Sequence, residues 1–232
     1  MSRPLKSFSP LLQRGFEAFR PDDPVLVRKV ARSRISLVFY LGFEGRKPWA
    51  LDVRYAFLYE VAEEFAVECV KHASSVGDRF PLARKWHSFL QFSVGEFLGW
   101  RPNSKRFSAD SETKEAFTER VLNEIAVDLL PKLESVDSER ALLQVLLDPD
   151  EKGHRTWWRT NGAIRAAVIL YIADRLKLDY PYLKSKLLQQ AKLINLGIEG
   201  RGMVEGLPER FLAQVTDALK MRAARTGRAA QA

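Results

Sequence analysis

The chain is short of the residues that make chemistry conspicuous. Its 232 residues include one cysteine, Cys69, and three histidines, His72, His87 and His154. A single thiol forms no intrachain disulfide, which excludes a secreted, bridge-stapled scaffold and fits a reducing cytosol. His72 follows Cys69 by three residues, so the two share a helical face, but a zinc site needs three or four ligands and no others join them. A packed cysteine beside a surface histidine is the plainer expectation. No Gly-x-Ser-x-Gly elbow marks a nucleophile. The apolar run Ala166–Ala173 falls far short of the ~20 residues of a membrane span. No signal-length apolar stretch follows Met1–Phe8, so export is not expected and a cytoplasmic location is. No membrane span, metal or cofactor is expected.

What is present is an ordinary globular composition, 46% hydrophobic and 28% charged, which excludes disordered and collagen-like classes. The net charge of +8 is uneven. Residues 1–50 carry ten basic and four acidic side chains, and residues 201–232 carry six and three, leaving the middle near neutrality. Basic ends favour acidic partners such as nucleic acid, anionic headgroups or an acidic protein, or serve solubility alone.

Local patterns predict strands first and helices later. Ser9-Pro10 opens a helix expected to reach about Phe19, and Arg20–Pro24 breaks it. The period then becomes two. Val25 and Val27, then Ile35, Leu37, Phe39, Leu41 and Phe43, then Trp49, Leu51, Val53 and Tyr55 give three strands of an antiparallel meander. A helix from about Phe57 to Ser75 carries Leu58, Val61, Ala62, Phe65, Cys69 and Ala73 on one stripe. Its Glu60, Glu63 and Glu64 are assigned to the wet side. A fourth strand is expected over Trp86–Val94.

Beyond it, Ser111 opens a helix through Phe117, Val121, Ile125 and Leu129 that Pro131 ends or kinks. Ser138 opens a Leu-rich helix, Asn161 an amphipathic one with Ile164, Val168, Tyr171, Ile172 and Leu176, Pro181 another, and Pro208 the last. This order predicts an α+β fold: an N-terminal antiparallel sheet of about four strands with covering helices, then a C-terminal helical region. The expected divisions are a sheet-containing region, 1–107, a helical region packed on it, 108–224, and a frayed basic tail, 225–232.

Two clusters stand out as binding candidates. Arg155, Trp157, Trp158 and Arg159 precede a helix, and adjacent indoles cannot both bury on one helical face. Trp and Arg dominate protein-binding hot spots, whereas the plainer role for both rings is to close a joint between elements. Arg28, Lys29, Arg32 and Arg34 gather at a hairpin tip, and Lys220, Arg222 and Arg225 on the last helix; such cations track a phosphate backbone or merely protect a sheet edge. The Gly197–Gly206 segment lacks both the Gly-Lys-Ser/Thr and the dinucleotide fingerprints, and reads as a linker.

The order Gly15-Phe16, Val25-Leu26-Val27-Arg28, Ser36-Leu37-Val38-Phe39 and Asp128-Leu129-Leu130-Pro131-Lys132-Leu133 before a Leu-rich helix resembles uncharacterised bacterial domains of unknown function. The resemblance covers about residues 9–147. It implies a small antiparallel sheet followed by helices, and no established reaction, so it transfers no catalytic residue. The expectation is a non-enzymatic bacterial protein-binding protein, an antagonist or immunity-type protein among the options. The alternatives are nucleic-acid binding through the basic patches, and an enzyme whose site is assembled from distant residues.

Overall fold

A computed structural model describes residues 6–18, 25–30, 34–73, 88, 90–100, 105–147, 162–192, 194–195 and 206–229, with the backbone alone for residues 6 and 225–229. The fold is α+β: an antiparallel sheet in the N-terminal part and a helical C-terminal region. The strands are β1 (Glu17–Ala18), β2 (Val25–Lys29), β3 (Ser36–Glu44), β4 (Ala50–Leu58), β5 (Gln91–Ser93) and β6 (Lys105–Phe107). The helices are α1 (Ser9–Leu12), α2 (Glu60–Ala73), α3 (Val94–Phe97), α4 (Lys114–Glu124), α5 (Leu130–Glu134), α6 (Glu139–Leu147), α7 (Gly162–Arg175), α8 (Tyr180–Gln189) and α9 (Leu207–Ala229). They fall into two units interleaved in sequence, Met1–Tyr59 with Gln91–Trp157 and Glu60–Leu90 with Trp158–Ala232.

In the first unit the period-two pattern becomes the sheet. Its order is β1-β2-β3-β4-β5, with β6 also paired to β4, all antiparallel. The β3–β4 register sets Leu37 opposite Phe57, Phe39 opposite Tyr55 and Leu41 opposite Val53, so the large side chains share one face. Tyr55 stacks on Phe92 at 5.3 Å and meets the edges of Phe57 at 5.9 Å and Phe97 at 6.4 Å. Phe16 packs on Phe39 at 5.4 Å. Each such pair adds about 0.5–1.5 kcal/mol beyond the area it removes from water.

Several boundaries differ from expectation. The first helix stops at Leu12 rather than near Phe19. Gly15, at φ +80°, turns the chain so that Glu17 and Ala18 pair with β2. Strand β4 runs on to Leu58, so α2 begins at Glu60. The fourth expected strand is confined to Gln91–Ser93; Ser93 caps α3 by accepting from the Glu96 N–H at 3.2 Å, which turns Val94 into helix. Trp86, His87 and Phe89 lie outside the described residues.

Helix α4 is capped by Thr113, not Ser111; its hydroxyl accepts from the Ala116 N–H at 3.2 Å. Pro131 does not end this helix. A π turn at Ile125–Leu129, closed by the Leu130 N–H on the Ile125 carbonyl, places Pro131 in the first turn of α5, where its missing N–H is not needed.

In the second unit, α2 packs on α7, and α9 packs on α7, α2 and α8. Every α7 residue from Gly162 to Ala173 is buried, so this helix is not amphipathic as the spacing suggested, but enclosed on all sides. Helix α9 buries Leu207, Phe211, Leu212, Val215 and Leu219 and continues to Ala229, past the end of its apolar pattern.

Candidate functional site

The residues singled out for protein binding, Arg155, Trp157, Trp158 and Arg159, lie outside the described residues, as do His154, Asn161 and the glycines at 197, 200 and 202. The basic patches are partly described. At the β2–β3 end, Arg28 is engaged within its own unit: it donates to Glu134 Oε1 at 2.7 Å and to the Arg14 carbonyl at 2.9 Å, and covers the Phe16 ring at 4.8 Å. Lys29 and Arg34 are exposed, and neither is ion-paired to another described residue. Arg32 lies outside the described residues. On α9, Lys220 pairs with Asp217 at 3.2 Å, Arg222 covers Tyr171 at 4.8 Å, and the Arg225 side chain is not described. The structure thus brings Arg28, Lys29 and Arg34 to one strand-pair end, with the first of them already committed.

Buried polar groups form separate small networks. Glu63, assigned to the wet side of α2, is only 2% exposed and accepts from the Ser88 hydroxyl at 2.5 Å. Ser88 in turn accepts from the Leu90 N–H at 3.0 Å. Glu60 and Glu64 are exposed as expected. Arg165, on the enclosed α7, donates to Gln190 Oε1. On the sheet, Asp52 is buried, its Oδ2 accepting from Arg54 at 2.9 and 3.1 Å, while Arg54 also reaches Gln91. Of these networks, the Ser88–Glu63 pair joins a hydroxyl to a carboxylate, and both groups are buried. Among the described residues no group of three or more His, Cys, Asp or Glu converges. No helix among them is long and apolar enough to cross a membrane.

Cys69 is buried and His72 exposed. Burial pushes the thiol up to about 12, with Glu68 adding to the rise, so at neutral pH it stays protonated and unreactive. Both residues line the feature that the sequence did not disclose. This is an open groove of about 640 Å³ between α2 and α9, lined further by Arg210, Ala213, Gln214, Asp217, Ala218 and Met221. Its surface is mainly apolar, and its charged side chains are Arg210 and Asp217. The signal for it was present in α9: residues 210, 213, 214, 217, 218 and 221 follow steps of three and four beside the buried stripe, with small side chains at 213 and 218. Met221 is 59% exposed at its end.

No protein-family model, curated protein or solved structure matches the chain.

Proposed function

We propose that the chain is a non-enzymatic protein-binding protein of the bacterial cytosol, acting by occlusion of a partner as an antagonist or immunity-type protein does. The observation that supports this is the α2–α9 groove. Two helical walls with small and apolar side chains and charge at intervals suit the apolar face of a polypeptide segment, the helix-in-groove mode of recognition. Residues 155–159 supply a second contact, since paired Trp and Arg provide large apolar area with a fixed cationic donor.

The test is affinity capture from native lysate with the wild type, Trp157→Ala/Trp158→Ala, and Ala218→Arg, which fills the groove from a half-exposed position. The expected result is a discrete set of proteins retained by the wild type and lost from one or both variants. A wild-type profile equal to that of an unrelated basic protein would end the binding reading, and an unchanged profile in both variants would remove these two surfaces.

A second reading, nucleic-acid binding, rests on exposed Lys29 and Arg34. It requires binding of labelled DNA or RNA that weakens steeply as salt rises, because phosphate contacts release counterions. No shift at low salt would exclude it.

A further inference from the structure

The first unit carries a concavity of its own. It is a partly open cavity of about 320 Å³ where Phe97 of α3 and Lys132 of α5 meet the turn at Ser135 and Val136 and the α6 residues Ala141, Gln144 and Val145. That volume lies at the lower end of those that hold small ligands. Val136 and Val145 are buried and give it an apolar floor. Lys132 and Gln144 are exposed at its rim. Among the described residues Lys132 is its one charged lining residue, and the acidic side chain nearest to it in sequence, Glu134, is held elsewhere by Arg28 at 2.7 Å. The Lys132 ammonium lies 5.3 Å over the Phe97 ring and makes no ion pair or hydrogen bond. A ring face occupies one side of an ammonium that has three N–H donors, so the others remain available. The Gln144 amide is likewise without a hydrogen bond. Ser135 differs: its hydroxyl donates to the Lys132 carbonyl at 2.7 Å, which fixes the turn beside the lysine.

We infer that this cavity binds a small aliphatic carboxylate, its chain on Val136, Val145 and Ala141 and its carboxylate at Lys132, with the Gln144 amide as a second donor. The class follows from what the lining offers. A cation would be repelled by Lys132, and a polyanion such as a phosphate would find a single positive charge and no arginine fork. A neutral apolar ligand would use the floor and leave the ammonium with the ring alone. An anion with an apolar body uses both parts: the floor takes its chain out of water, and the free N–H donors of Lys132 and Gln144 meet its oxygens. This site adds a ligand to the protein-binding reading and does not depend on the α2–α9 groove.

The experiment is an NMR titration of the full chain that follows the methyl signals of Val136 and Val145, with hexanoate, hexanamide and hexylamine as probes built on one chain length. Hexanoate is expected to shift both signals to saturation, with a dissociation constant of about 0.1–5 mM, the range open to a ligand of this size. Hexanamide should bind roughly two- to fivefold more weakly, as loss of an exposed ion pair predicts, and protonated hexylamine more weakly still. Lys132→Met keeps the stem and removes the charge, so it should erase the preference for hexanoate over hexanamide. Lys29→Met removes an exposed charge elsewhere and should leave that preference intact. Ala141→Leu fills the cavity from its wall and should abolish the shifts. Circular dichroism confirms that each variant folds. Failure of hexanoate to approach saturation by ~20 mM overturns the inference. So does equal binding of hexanoate and hexanamide, a preference that survives Lys132→Met, or shifts unchanged in Ala141→Leu. A preference lost equally in Lys29→Met overturns it as well, because net charge would then be its source.

Discussion

In the first unit the core is a row of rings on one face of a sheet, Phe39, Tyr55, Phe57 and Phe92. In the second it is a helix, α7, whose aliphatic and alanine side chains are enclosed in every direction. The sheet gains stability from a few large groups with specific edge and stacking geometry. The helix gains it from many small and aliphatic groups buried around one axis. Loss of volume should therefore hurt the first unit most, and gain of volume the second.

Phe39→Ala tests the first half of that contrast. Removing a ring fully buried against Phe16 and Tyr55 should lower the unfolding free energy by about 3–5 kcal/mol, read from a urea titration. A loss below ~1 kcal/mol would show that the ring cluster does not hold the sheet face. Ala166→Leu tests the second half: at a position with no exposure, overpacking should cost about 1–3 kcal/mol, whereas on a helix with a solvent side the change would be neutral.

The smallest effect belongs to the surface of the first unit. Arg120 donates to Glu112 at 2.9 and 2.8 Å and holds its carboxyl below the usual carboxylate range. A carboxylate with a depressed folded pKa contributes stability above its unfolded value of ~4.3, and that contribution disappears as the pH falls through the lowered folded value. Arg120→Ala should cost ~0.2–1 kcal/mol near neutral pH, as exposed pairs do, and the two urea midpoints should converge in acid. A gap that persists or widens there would assign the effect to the guanidinium held over the Phe117 ring instead.

The same contrast explains what could be read in advance. Strands β2, β3 and β4 were legible because large apolar residues recur at every second position within each run between Val25 and Tyr55, although β3 and β4 bury residues on both faces. Strands β1 and β6 were not: two or three residues contain no period, and only pairing with a longer neighbour makes them strands. Burial of Glu63 was hidden because its donor, Ser88, lies far along the chain. The all-round burial of α7 was hidden because alanine reads as neutral on any helical face. Of the site, the α9 core stripe was visible in the spacing of Phe211, Leu212, Val215 and Leu219. The adjoining groove wall has the same spacing, but its mostly small or polar residues acquire meaning only beside Cys69 and His72 of α2.

The π turn ahead of Pro131 also sets a rule for the length of the chain. Its i→i+5 spacing holds one residue more than the α-helical turn it replaces, so deleting one residue from Ile125–Leu129 would join α4 to α5 as regular helix with the phase of Leu130 and Leu133 kept. The cost would fall on Pro131, whose ring would then meet the carbonyl four residues before it. Chains descended from this one should lose a residue here only together with that proline.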